Sequence, residues 1–264
     1  MIRKTRRSGG LRAQFFLLLF LLAVLPAFSD ETWPLGQIID PVISLQDPAQ
    51  SYALYLPSSY ATGRRWPILY CFDPGGRGAI PVALFREAGE RYGWIVASSN
   101  NSRNGPWKDV FVAAGAVWDD THARLRIDDS RVYAAGFSGG ARVACGLARL
   151  LNVRPAGVIG CGGGLPEWLA PPDMAGIPWY GTVGRNDFNY GEMKDLEKEL
   201  LRLGFPCQLS VFPGKHSWPP TDLAMAAVAW HEERFIKSEL NSKSQIPNSE
   251  QAPSTNNQNE ESRH

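Results

Sequence analysis

The run Gly136-Phe137-Ser138-Gly139-Gly140 places a serine among small residues, in the spacing G-x-S-x-G. A serine hydroxyl is a poor nucleophile at neutral pH and needs a base within reach, so the run matters only if a histidine and a carboxylate can join it. Gly and Ser are also ordinary turn residues, and the motif by itself does not separate a nucleophile from a plain turn. The chain has four histidines. His122 and His231 fall inside helical patterns and His264 ends a polar tail. That leaves His216, in Pro213-Gly214-Lys215-His216, directly after the expected strand 207–212. A carboxylate stands in the same kind of place, with Asp187 in Gly184-Arg185-Asn186-Asp187 after the run 177–183. In such a set His216 would take the proton of Ser138 as general base and return it to a leaving group as general acid. Asp187 would hold the other ring N–H, fixing the tautomer and stabilising the imidazolium.

These side chains need elements that present them at one edge. Before Ser138, Val132-Tyr133-Ala134-Ala135 reads as a strand; after it, Val143, Leu147 and Leu150 recur at helical spacing. Strand, sharp turn and helix would hold the Ser138 hydroxyl above a sheet, with Gly136 and Gly140 letting the two elements approach. The N–H of Gly139, at the positive end of that helix, would face a developing oxyanion. A second donor is expected from Gly75 or Gly76, in the loop after the continuous apolar run 67–72.

Elsewhere, strands are expected around 37–45 and at 51–57, 67–72, 94–99, 157–161, 177–183 and 207–212. Helices are expected at 81–92, 109–125, after Ser138, at 189–203 and from 221 to about 239. The segment 51–57 alternates Tyr52, Leu54 and Leu56 with Ala53 and Tyr55, whereas 67–72 is apolar throughout, the pattern of a strand buried on both faces. Strands alternating with helices argue an α/β protein with a mostly parallel sheet covered on both faces. Trp107, after the polar run 100–106, is read as lying on a loop at the C-terminal end of a strand, and Trp218 lies two residues past His216; both are candidate substrate-binding residues. Trp168 and Trp179 are read as packing residues.

The chain has 264 residues, is 44% hydrophobic and 20% charged, and can bury one sizeable core. Its formal net charge of +1 provides no footprint for a nucleic-acid partner. Arg3, Lys4, Arg6, Arg7 and Arg12 precede a short apolar run, 15–25, and small residues at Ala27 and Ser29. This reads as a signal peptide over 1–29, giving a secreted or periplasmic protein without a stable membrane partner; an uncleaved anchor is the alternative. A globular domain follows over 30–240, and 241–264 is polar and read as a disordered tail. Cys71, Cys145, Cys161 and Cys207 follow no metal pattern and read as buried thiols, three in central strands and one in the helix after Ser138. Leu165 breaks the dinucleotide spacing after Gly160, and Phe235 stands where a second zinc-binding histidine would follow His231-Glu232. No cofactor and no metal are expected.

The order Ser, Asp, His, together with 52–57 (YALYLP), 131–141 (RVYAAGFSGGA) and 216–219 (HSWP), resembles the secreted ester hydrolases of the α/β-hydrolase superfamily. The likeness is to the group containing polyhydroxybutyrate depolymerases and feruloyl esterases, and it spans roughly 51–235. It implies the α/β-hydrolase fold, hydrolysis of a small-molecule or polymeric carboxylic ester, and catalysis by Ser138, Asp187 and His216 without a cofactor. Many relatives carry His-Gly where this chain has Asp73-Pro74-Gly75-Gly76. A serine peptidase acting on short peptides, and a non-catalytic relative binding a glycan or polymer through loop aromatics, are the alternatives. The segment 162–176 is the one candidate cap, and its shortness implies an open site.

Overall fold

The computed structural model describes residues 32–151 and 153–244. The signal-peptide reading and the part of the expected tail beyond Ser244 lie outside the described residues. Eight strands form one sheet in the order β1-β2-β4-β3-β5-β6-β7-β8. β1 (Ile38–Ile43), β2 (Ser51–Tyr55) and β4 (Ile95–Ser99) meet antiparallel, and β4, β3 (Trp66–Phe72), β5 (Ile127–Phe137), β6 (Gly157–Cys161), β7 (Trp179–Gly184) and β8 (Cys207–Phe212) run parallel. All six parallel strands therefore end at the same edge.

Side-chain alternation along each strand divides the interior between the two faces. Ile68, Tyr70 and Phe72 of β3 and Val132 and Ala134 of β5 join a core with Val110, Ala114 and Val117 of α2 (Trp107–Arg124), Val143 and Leu147 of α3 (Gly139–Leu150) and Met193, Leu196 and Leu200 of α4 (Tyr190–Arg202). Leu69 and Cys71, with Tyr133, Ala135 and Phe137, face the other way. They pack with Val82, Phe85 and Ala88 of α1 (Ala79–Tyr92) and Ala224, Ala227 and Val228 of α5 (Thr221–Ser244). With both faces covered, a strand such as β3 must be apolar at every position, and all seven of its residues are buried.

Three expectations change. α2 starts at Trp107, so this residue belongs to a helix rather than a loop; Pro106, with extended ψ, stands just before the first turn. α5 continues through Ser244, so 241–244 are helical rather than tail; this last stretch is exposed where described, and an exposed polar turn leaves no apolar period to read. β8 is an edge strand, so Cys207 at its start is only half-buried. All four cysteines are free, and burial pushes the Cys145 and Cys161 thiols up to about 12, which makes them inert.

Candidate active site

At the C-terminal end of β5 the chain turns directly into α3 through Ser138, whose φ of 56° is the one positive value at a non-glycine among the described residues. Such a backbone is strained, of order 1–3 kcal/mol, and holds only where the surroundings enforce it. Two glycines do so by close approach. A Cβ on Gly136 would lie 2.0 Å from the Gly140 carbonyl oxygen, and one on Gly140 would lie 1.9 Å from that of Phe72. Ser138 N–H donates to the Cys161 carbonyl at 2.8 Å, tying the turn to β6. Gly139 opens α3, so its N–H has no acceptor within the helix and lies at the positive helix end.

Ser138 Oγ lies 2.9 Å from His216 Nε2, and His216 Nδ1 lies 2.9 Å from both Asp187 carboxylate oxygens. The contacts set the tautomer: Nδ1–H donates to the buried carboxylate, leaving Nε2 to accept from the hydroxyl. The Asp187 side chain is fully enclosed, and Oδ1 also accepts the Asn189 N–H at 2.8 Å. The His216 ring packs on Phe137 and on Phe188, with centroids at 4.6 and 4.1 Å. Strand ends bring these residues together: Arg185 N–H donates to the Phe212 carbonyl, and Asn186 N–H to that of Gly214.

On the opposite side stands a second enclosed carboxylate, Asp73, at the end of β3. It accepts the Arg77 guanidinium at 2.9 and 3.2 Å, the Trp218 indole N–H at 3.0 Å and the Gly75 N–H at 2.9 Å. Burial pushes this carboxyl up, but the Arg77, Trp218 and Gly75 donors outweigh it and hold it below the ordinary value. The consequence for the expected oxyanion donors is direct. Gly75 N–H is engaged by the Asp73 carboxylate, and Gly76 N–H by the Asp73 carbonyl at 3.0 Å. Trp218 also departs from expectation. Its indole is turned to Asp73, and its ring packs on Phe85 and Phe137, outside the lining of the cleft over Ser138.

That cleft has a volume of about 340 Å³. Trp107 lines it, as do Asn104, Phe188 and Asn189. The Trp107 indole N–H donates to Glu167 at 2.8 Å, and its ring meets Trp168 edge-on. Residues 162–176 do not line the cleft. They are fastened alongside by the Gly164 N–H, which donates to Glu192, and by Arg142, which donates to the Leu165 carbonyl and forms a two-pronged pair with Glu192 at 2.8 Å. Trp179 is enclosed in the core and Trp168 packs over α3 at Gly146, in line with packing roles. His122 stacks on Trp118 within α2, and His231 is buried under the opposite face. Among the described residues no group of three or more His, Cys, Asp or Glu is placed to hold a metal ion. Sequence reasoning missed Phe188, Asn189 and Asn104. The first two adjoin Asp187, and only their nearness to it could have marked them.

This strand order, with the serine on a turn after the fifth strand, is the architecture of the α/β-hydrolase fold. An S-formylglutathione hydrolase, FrmB, from Staphylococcus aureus superposes with a TM-score of 0.58 at 14% identity, covering 76% of this chain and 99% of that one. A ferulic acid esterase gives 0.55 at 15% identity, covering 74% and 96%. The esterase LipW from Mycobacterium marinum gives 0.57 at 19% identity, covering 74% and 82%. The chain thus has the α/β-hydrolase fold that this hydrolase and these two esterases share. No protein-family model and no curated protein sequence matches it.

Proposed function

We propose that this chain is a serine hydrolase that cleaves carboxylic esters. The observation that carries this reading is the continuous hydrogen-bonded path from Ser138 through His216 to the enclosed Asp187, starting from the one strained non-glycine residue described. Ser138 Oγ adds to the ester carbonyl carbon as its proton passes to His216 Nε2, and the carbonyl π electrons collect on oxygen opposite the Gly139 N–H. Collapse of this intermediate expels the alcohol, which takes the proton from His216, and leaves an acyl group on Ser138. Water, deprotonated by the same imidazole, then releases the acid. Asp187 keeps the ring oriented and offsets the imidazolium charge. Trp107 and Phe188 offer apolar walls to the bound ester.

A fluorophosphonate probe and a panel of acetyl, butyryl, octanoyl and feruloyl esters, applied to wild type and Ser138→Ala, test the reading. Wild type is expected to be labelled and to turn over at least one ester, with both lost in Ser138→Ala. Equal turnover by the two proteins overturns it. The signal read over 1–29 places this activity outside the cytoplasm, and an exported chain beginning at Asp30 is its test. No helix among the described residues is long and apolar enough to cross a membrane.

A further inference from the structure

One hydrogen-bond donor leaves an oxyanion half-held, and the backbone offers no obvious second one. Pro74 has no N–H, and the Gly75 and Gly76 N–H groups are both turned to Asp73. Another amide lies at the site. The side chain of Asn104 rests against Gly139: a Cβ built on Gly139 would fall 1.9 Å from its Oδ1 and 3.3 Å from its Nδ2. Only a glycine at 139 admits it there. Asn104 lines the cleft with Ser138 and Gly139.

From this we propose that the Asn104 side-chain amide is the second oxyanion donor; the proposal rests on the ester-hydrolase reading above. The base of the side chain is already fixed, since Asn104 N–H donates to the Pro74 carbonyl at 2.8 Å and Arg103 bridges to Gly75. Among the described residues no acceptor competes for the protons of the amide itself. In the resting chain Oδ1 is the atom nearer Gly139. The terminal torsion of asparagine is broad, and a half-turn exchanges Oδ1 for Nδ2 without moving the backbone. As Ser138 Oγ bonds to the carbonyl carbon and its proton moves to His216, the negative oxygen receives one N–H from Gly139 and one from Asn104 Nδ2. Asn104 is a catalytic residue in this account because it touches the reacting oxygen. A donor of this kind acts on the transition state, where the charge appears, rather than on the neutral ester.

Asn104→Ala and the isosteric Asn104→Asp, which keeps the shape but loses the donor, are compared with wild type. Both are expected to lower kcat by about 10²–10³-fold with KM changed less than threefold. Both are also expected to weaken inhibition by an alkyl boronic acid, whose tetrahedral adduct on Ser138 mimics the intermediate, by a similar factor. Asn104 is exposed, so melting temperatures should match wild type; should Asn104→Ala misfold, Asn104→Asp alone decides. A kcat within threefold of wild type in either folded variant, or an unchanged boronate affinity, overturns the inference. If Ser138→Ala abolishes turnover while the Asn104 variants stay active, only this inference falls. If wild type turns over no ester, the reading beneath it falls as well.

Discussion

Asp187 and Asp73 are built alike and do different things. Each follows a parallel strand, each side chain is fully enclosed, and each accepts the N–H two residues ahead, at 2.8 Å from Asn189 and 2.9 Å from Gly75. Each also accepts a ring N–H from the same loop after β8, Asp187 from His216 and Asp73 from Trp218. The partners make the difference. An imidazole has a second nitrogen, and here it faces Ser138; an indole has none and cannot gain a proton. Asp73 is moreover neutralised by Arg77, which is always charged. One carboxylate is therefore suited to support proton transfer, and the other to pin the loop carrying the histidine. Burial alone decides neither role.

The largest effect should come from breaking the relay side. Asp187→Asn leaves the shape but offers the imidazole a donor where it needs an acceptor; kcat should fall about 10⁴-fold, measured on any ester that wild type turns over. The tether side should respond in stability instead. Asp73→Ala strands the half-buried Trp218 indole N–H, at about 1–3 kcal/mol, so the melting temperature should drop by roughly 3–10 °C. Because the folded carboxyl titrates below its ordinary value, this contribution is fully present above about pH 4 and fades as the pH falls further. A melting temperature within 2 °C of wild type would contradict the tether.

His231 sharpens the point that partners, not burial, preserve a charge. It is enclosed without an acidic partner, and desolvation pushes it down to about 3. An unfolded histidine binds a proton below about 6.5, so between these values the unfolded state holds more protons and stability falls as the pH is lowered. Urea unfolding at pH 6.5 and 5 should differ by about 2 kcal/mol from this residue, a difference absent in His231→Gln. The smallest effect belongs to Trp218→Phe, which keeps ring packing on Phe85 and Phe137 but loses the indole donor. Asp73 keeps its Arg77 and Gly75 donors, so a loss of only about 0.5–1.5 kcal/mol of stability and a kcat lowered severalfold are expected, with KM unchanged. A severalfold rise in KM with kcat intact would instead return Trp218 to the substrate.

Much of the fold was legible locally. β6 at 157–161 and β8 at 207–212 coincide with the strands expected there, and the alternation of Tyr52 and Leu54 against Ala53 and Tyr55 sorts these residues into the two cores they occupy. The Asp73–Gly75 bond was also open to reading, since Asp-Pro-Gly-Gly is a sequence in which a carboxylate turns to the N–H two residues on. The Trp218–Asp73 bond was not, because 145 residues separate its partners. Nor was the contact of Asn104 with Gly139, which joins the loop after β4 to the turn after β5.

By itself the sequence determined the alternating elements, the glycine-flanked serine and the order in which serine, aspartate and histidine follow separate strands. These depend on short-range periodicity and turn chemistry, which neighbouring residues encode. Only the tertiary structure decided which ring faces which carboxylate and which amide borders the serine. Those pairings are fixed by strand order and register across the sheet, and no local pattern carries a distance between residues that meet only when the sheet closes.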